Sequence, residues 1–251
     1  LVLILGIESR GAVRWVELAG FRVQFSEILK PFLAISFSSF LVSRRNYSFT
    51  SMLQISFFLL IISLLIFLQP DLGNAMIYVL VTILTLIFFG FPFKFFAIGL
   101  AFFAISTPLI WSILRDYQKD RILTFLNPTK DPLGTSYNAI QSIIAVGSGM
   151  LFGRGLGQGT QSGLSFLPER HTDFIFATIS EQLGFVGSIL ILSCFTFILY
   201  RIFKIFMNCD DLFCKNFAAI SFFIILVQFF INIGMNVGLL PVVGVTLPFV
   251  S

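Results

Sequence analysis

Charge is what this sequence has least of: 11% of its 251 residues are Asp, Glu, Lys or Arg, against 57% that are apolar. Several apolar runs reach about 17 to 20 residues, the length that crosses a bilayer as a helix. A soluble core cannot account for so many such runs, so the chain reads as a polytopic helical membrane protein. Histidine is represented by His171 alone, and cysteine only by Cys194, Cys209 and Cys214. These thiols are too few and too scattered for a disulfide scaffold. Cys209 and Cys214 also lack a nearby histidine or a second pair that would make a zinc site. All three are expected to be reduced. A phosphate-loop fingerprint is missing too. The glycines of GSGMLFGRGLGQGTQSG have neither the preceding strand nor the following helix of a nucleotide loop. The net charge of +4 is what cytoplasmic Lys and Arg give a membrane protein, and no nucleic-acid partner is expected. No signal peptide is expected. The chain opens on Leu1 and stops in a turn-rich stretch at Ser251, so both ends read as cut.

What is present falls into spans and loops. Leu1 to Gly6 reads as the tail of a span, and 7–25 as a polar loop. Complete spans are expected at about 26–42, 52–68, 74–90, 96–113, 173–200 and 217–234, within a single membrane domain over 1–251. With the first loop outside, the inner loops hold Arg44, Arg45, Lys94, Arg201, Lys204 and Lys215. The short outer loops then hold only Arg10, Arg14 and Arg22, a bias that favours this orientation. The connection over 114–172 is too long to be a simple turn. It reads either as a functional segment or as a flexible outer loop partly packed on the membrane surface.

Few side chains can carry chemistry. Asp173 is expected in the first turn of a span, with Thr172 as its N-cap. A carboxylate at that depth is costly to desolvate, which makes it a functional candidate. Positions 173, 177, 180 and 184 share one face and hold Asp, Ala, Ser and Gly, a stripe that leaves a groove or admits another helix. The competing reading is an acid that complements the helix dipole. Glu27 and Lys30 lie three apart on one face. They form either a snorkelling ion pair that orients the helix or a polar patch facing a cavity. Arg14 suits a headgroup anchor, and Trp15 an interfacial belt. Asp71 in LQPDLG fits a turn in which Asp bonds its own backbone. Arg121, with Gln118 and Lys119, lies where the long connection leaves the membrane. Its guanidinium suits a phosphate bidentately; a solvated loop charge is the alternative.

The stretches LPERHTDFIFATISEQLGFVG, GAVRWVELAGFRVQFSEILK, LQPDLG, YQKDRILTFLNPTKDPLGTSYNAIQSIIAVGSG and NIGMNVGLLPVVGVTLPFVS closely resemble the SEDS family (shape, elongation, division and sporulation). The wording GTQSGLSFLPERHTDFIFA resembles its rod-shape branch more than its division branch. The motifs run in family order along the whole chain. The resemblance implies an all-α fold, a SEDS-type multi-span helical bundle with a long extracytoplasmic loop. It also implies that spans are lacking at both ends.

By resemblance, the activity is peptidoglycan glycosyltransfer. Lipid II, a disaccharide-pentapeptide on undecaprenyl pyrophosphate, would be polymerised with inversion at the outer face of the bacterial cytoplasmic (inner) membrane. The aspartate of the family's HTD motif matches Asp173, the essential acid. Its Arg-Trp pair matches Arg14 and Trp15, and its Ser-Glu-x-x-Lys matches Ser26, Glu27 and Lys30. Phe25 replaces the usual proline before that serine, and Gln182 replaces a second glutamate. The substrate-binding set is then Arg14, Trp15, Glu27, Lys30, Lys119, Arg121 and His171. Implied partners are lipid II, a class B penicillin-binding protein, the elongation machinery and membrane lipids. The chemistry agrees: a sugar hydroxyl needs a positioned base, and the leaving pyrophosphate needs cations. A divalent cation such as Mg2+ could share that task. The rivals are a flippase for lipid-linked precursors and an inactive truncated scaffold that binds a penicillin-binding protein. The topology is testable. A cysteine at Thr129 should react with a membrane-impermeant reagent added to intact cells. Labelling only from the cytoplasmic side would reverse the orientation and displace the proposed site.

Overall fold

The computed structural model describes residues 7–9, 12–18, 21–43, 49–68, 71–128, 131–132, 134, 136–164 and 166–251, and for 7–23 the backbone alone. The tail of a span expected at Leu1 to Gly6, and Thr129, lie outside the described residues. The helices are α1 (Phe25–Ser43), α2 (Phe49–Leu68), α3 (Leu72–Phe88), α4 (Phe93–Ile113), α5 (Asp116–Leu126), α6 (Tyr137–Ser148), α7 (Thr160–Gly163), α8 (Ile175–Asn208) and α9 (Leu212–Asn236). Each of the six expected spans is a helix. Among the described residues, α1, α4, α8 and α9 are long and apolar enough to cross a membrane.

Four expectations are corrected. First, the supposed polar loop before α1 is a three-stranded antiparallel sheet of β1 (Ile7–Ser9), β2 (Ala12–Leu18) and β3 (Phe21–Gln24). Val and Trp in β2 and Phe and Val in β3 favour a pleated surface. Second, 114–172 is not a flexible loop, because α5, α6 and α7 lie within it. Third, α8 runs on to Asn208. IFKIFMN continues its helical pattern with no Gly or Pro to stop it, so Arg201 and Lys204 sit on its last turns. Fourth, just beyond, Cys209 and Cys214 are joined as a disulfide rather than reduced, their Cα atoms 6.4 Å apart, within the usual reach of such a bond. Cys194 is a free thiol.

The chain forms two compact units. The first comprises Leu1–Gly99 and Tyr200–Val227, the second Leu100–Leu199 and Gln228–Ser251. In the first, Phe206, Ala218 and Ala219 are buried together, and the Phe88 ring meets Phe206 edge-on at 5.1 Å. In the second, Ala145, Leu167, Phe174 and Ala177 form a buried cluster, and Phe195 of α8 stacks on Phe229 of α9 at 4.6 Å.

Within the second unit, α8 is broken at Gly184, whose φ is 67°. A break leaves carbonyls and amides without helical partners. Here the glycine-rich segment supplies them. Arg154 N and Gly155 N donate to Glu181 O and Gln182 O at 3.0 and 3.1 Å. Phe185 N and Val186 N donate to Met150 O and Leu151 O at 2.8 and 3.2 Å. Only glycine fits at this point: an added Cβ would stand 2.7 Å from the Leu151 carbonyl, and the left-handed backbone disfavours any side chain. Gly184→Ala should therefore cost at least the roughly 1–3 kcal/mol of a strained backbone position, since the clash comes on top, and lower the unfolding midpoint in detergent. A midpoint equal to the wild type's would show that the break has no such constraint.

Candidate functional site

Asp173 was expected in the first turn of α8, but the helix begins only at Ile175. Nor does Thr172 cap it: its hydroxyl donates to Glu169 O and Oε2 at 3.3 and 3.0 Å. The reason lies in α9. In a regular helix, Ala177 N–H would donate to Asp173 C=O. Instead the Asn236 side chain takes both ends. Its Nδ2 donates to Asp173 O at 3.1 Å, and its Oδ1 accepts from Ala177 N at 3.2 Å. Asn232, one turn earlier, also donates to Asp173 O at 3.0 Å. Glu169, in the left-handed region, accepts the amides of Thr172 and Phe174 and tightens the turn further. Asp173 is thus presented by an unwound turn whose backbone is held by two fully buried amides.

The carboxylate itself points to the irregular segment after α9. A Cβ built on Gly244 would lie 3.3 Å from Asp173 Oδ2 and 3.9 Å from Arg121 Nη1, so acid and guanidinium converge on one point of the backbone. Gly244 has φ +74°, and a side chain there would enter the space between the two charges. Arg121 projects from α5. It donates to Val243 O at 3.0 Å and lies 5.6 Å above the Tyr117 ring, which fixes its direction. Asn232 Nδ2 holds the same segment through Val245 O at 2.7 Å. Ser251 Oγ closes it by donating to Thr172 O at 2.7 Å. Lys119 lies two residues from Arg121 on α5, on another face of the helix. His171 is exposed and accepts from Arg170 Nε at 3.2 Å.

The remaining expected residues lie in the first unit. Lys30 Nζ pairs with Glu27 Oε1 at 2.6 Å. The lysine is only 4% exposed, so the pair is present but its ammonium does not snorkel to water. Asp71 caps α3, as the turn reading implied, accepting from Asn74 N at 3.3 Å. It also accepts from Gln24 Nε2, Ser26 Oγ and Asn74 Nδ2 at 2.8, 3.0 and 2.9 Å. Arg14 and Trp15 lie on β2, where Trp15 faces Gln24 of β3 in register. Their side chains are outside the described ones. Among the described residues, no three His, Cys, Asp or Glu side chains gather as a metal cluster. Mg2+ needs only one or two carboxylates beside substrate phosphates, and Asp173 is the ligand it would find beside Arg121.

Sequence reasoning passed over Asn232, Asn236 and Glu181. The asparagines carried a readable signal: two amides four apart on one face of an otherwise apolar helix.

The family model for FtsW, RodA and SpoVE, described as a cell cycle protein, matches residues 1–251. The chain belongs to the FtsW/RodA/SpoVE family. This is the family that the motifs resemble. The chain is 40% identical over 250 residues to the peptidoglycan glycosyltransferase MrdB of Escherichia coli K12, covering 98% of this chain and 67% of that protein. It is 38% identical over 271 residues to stage V sporulation protein E of Bacillus subtilis 168, covering 100% and 70%. Among solved structures it matches a chain of a peptidoglycan synthase complex that coordinates polymerization and crosslinking. That match has a TM-score of 0.80 at 31% identity and covers 100% of this chain and 70% of the other. RodA of Thermus thermophilus matches with a TM-score of 0.67 at 25% identity, covering 100% and 66%. The chain spans about two thirds of the length of these FtsW/RodA/SpoVE relatives.

The amide clamp on the acid is testable. Asn236→Leu leaves Asp173 O with one donor fewer and Ala177 N with no amide to meet it. A buried polar group left unsatisfied costs about 1–3 kcal/mol, so the unfolding midpoint in detergent should fall. A midpoint at or above the wild type's would count against the clamp.

Proposed function

We propose that this chain is a peptidoglycan glycosyltransferase that polymerises lipid II, as a single membrane domain, with Asp173 as its general base. The likeness to the E. coli peptidoglycan glycosyltransferase, 40% identical over 250 residues, carries the activity. The convergence of Asp173 and Arg121 on Gly244 supports the assignment of roles.

The chemistry follows from what each group can do. An acceptor sugar hydroxyl is a weak nucleophile until a base within hydrogen-bond reach takes its proton. Asp173 takes that proton as the hydroxyl oxygen bonds to the anomeric carbon of the donor. The bond from that carbon to the pyrophosphate oxygen breaks on the opposite face, so the configuration inverts. The leaving undecaprenyl pyrophosphate carries away the electron pair. Arg121 meets its growing negative charge with a planar pair of donors that a lysine lacks. A divalent ion such as Mg2+, bound with the pyrophosphate, would neutralise more of that charge. Lys119 and His171 belong to the same substrate-binding set. Arg14, Trp15, Glu27 and Lys30 join it on the strength of the motif match.

A class B penicillin-binding protein is the partner we propose, because one structural relative belongs to a complex that couples polymerization to crosslinking. Lipid II presents its sugars outside the cell, so the site is assigned to the outer face of the cytoplasmic membrane. The decisive variant is Asp173→Asn, which keeps size and polarity but removes the basic lone pairs. Polymer made from lipid II by the full-length protein should fall by roughly 10²–10⁴-fold at matched membrane levels. An Asn variant that retained half its activity would remove Asp173 from the reaction.

A further inference from the structure

Glu181 is wholly buried in α8, and the reaction above gives it no part. Its carboxylate is turned on α7. Oε1 accepts from Gln161 N at 2.8 Å and Thr160 Oγ1 at 3.3 Å, while Oε2 accepts from Ser162 N at 2.9 Å. A helix of a single turn cannot satisfy its own first amides; Glu181 satisfies two of them. The approach is close: a Cβ on Gly159 would stand 2.6 Å from Glu181 Oε2. The carbonyls of α7 are engaged in their turn. Ser162 O and Gly163 O accept from Arg170 Nη1, and Gln161 O accepts from Leu167 N at 3.0 Å. Leu167 and Arg170 begin the turn that ends at Asp173, and Arg170 O accepts from Thr178 Oγ1 at 3.1 Å.

A connected path therefore runs from Glu181 through α7 to Arg170 and on to the acid. We propose that Glu181 is a positioning residue for the reaction: it holds α7, and α7 holds Leu167 and Arg170, where the Asp173 turn begins. The inference rests on reading Asp173 as the base. An unprotonated carboxylate suits the place because it only accepts, and three donors face it. An amide would turn an N–H against one of them.

The test is lipid II polymerisation by the full-length protein at matched membrane levels, bracketed by wild type and Asp173→Asn. Glu181→Gln keeps the side chain's shape. Its kcat per folded protein should fall by about 10–100-fold, the cost of a displaced catalytic group, with KM for lipid II unchanged. Glu181→Asp keeps two acceptor oxygens and should recover part of the loss. A Gln variant with wild-type kcat, a rise in KM instead, or a loss that tracks the folded fraction would overturn the inference. If Glu181→Gln fails to reach the membrane, Thr160→Val decides, since it removes a single donor. Its kcat should fall by about twofold to tenfold, the worth of one hydrogen bond, and a wild-type kcat would overturn the proposal. Wild type that makes no polymer would bring down the functional reading, and this inference with it. An active wild type, a dead Asp173→Asn and a fully active Glu181→Gln would bring down this inference alone.

Discussion

Inside hydrocarbon no water is at hand, so a backbone amide or carbonyl without a protein partner costs several kcal/mol. Both departures of α8 from regular helix obey that constraint. At its start, one asparagine amide stands between Asp173 C=O and Ala177 N–H and satisfies both. At Gly184 the groups freed by the break are met, donor for acceptor, by the backbone around 150–155. Hydroxyls follow the same rule on a smaller scale. Thr82, Thr178 and Ser180 each donate to the carbonyl four residues back, which hides a polar group on an apolar helix. At both described departures of α8, another segment completes the irregular backbone.

The same constraint explains how the acid is held. Asp173 is held through its carbonyl, by side chains from a helix distant in sequence. Asn232 and Asn236 lie four apart, on one face of α9, and both reach Asp173 O. Asn232 also holds Val245 O, next to the glycine on which the carboxylate and Arg121 converge. One face of one helix therefore sets the backbone on both sides of the acid. Such backing of a reacting group by packed, hydrogen-bonded neighbours is what keeps it in productive geometry.

Most of the helices were legible because burial in lipid leaves long apolar runs with few charges, and the boundaries at Phe25, Leu68 and Ile113 fall close to the expected ones. What was not legible depended on partners distant in sequence. The start of α8 at Ile175 is decided by an asparagine more than a whole helix away, and no local pattern around Thr172 and Asp173 reveals it. The sheet over 7–24 was missed for another reason. Its strands are short, and their Val, Trp and Phe are interleaved with charges, so no long apolar run marks them. Glu181 carries no local signal of its own, since it stands beside Gln182 in a largely apolar helix. Its role depends on α7, folded back on it from twenty residues earlier. Asp173, an acid read at the start of a span, and Arg121, read where the long connection leaves the membrane, were both candidates in the sequence. That they meet at Gly244 was not legible there.

Burial then separates the acids by what they can do. Asp71 is 1% exposed and its oxygens accept from Gln24, Ser26 and Asn74, so its lone pairs are committed to joining β3, α1 and α3. Glu181 is 0% exposed and is committed to α7 in the same way. A sugar hydroxyl cannot reach either without displacing the bonds that hold the fold. Glu27 is bound to a lysine whose charge would otherwise be buried alone, a state that costs far more than the pair. Asp173 is held in another way: two buried amides lock its backbone, and its partly covered side chain converges with the Arg121 guanidinium on Gly244. A base must be held and still be reachable by its substrate, and the role proposed for Asp173 rests on that combination.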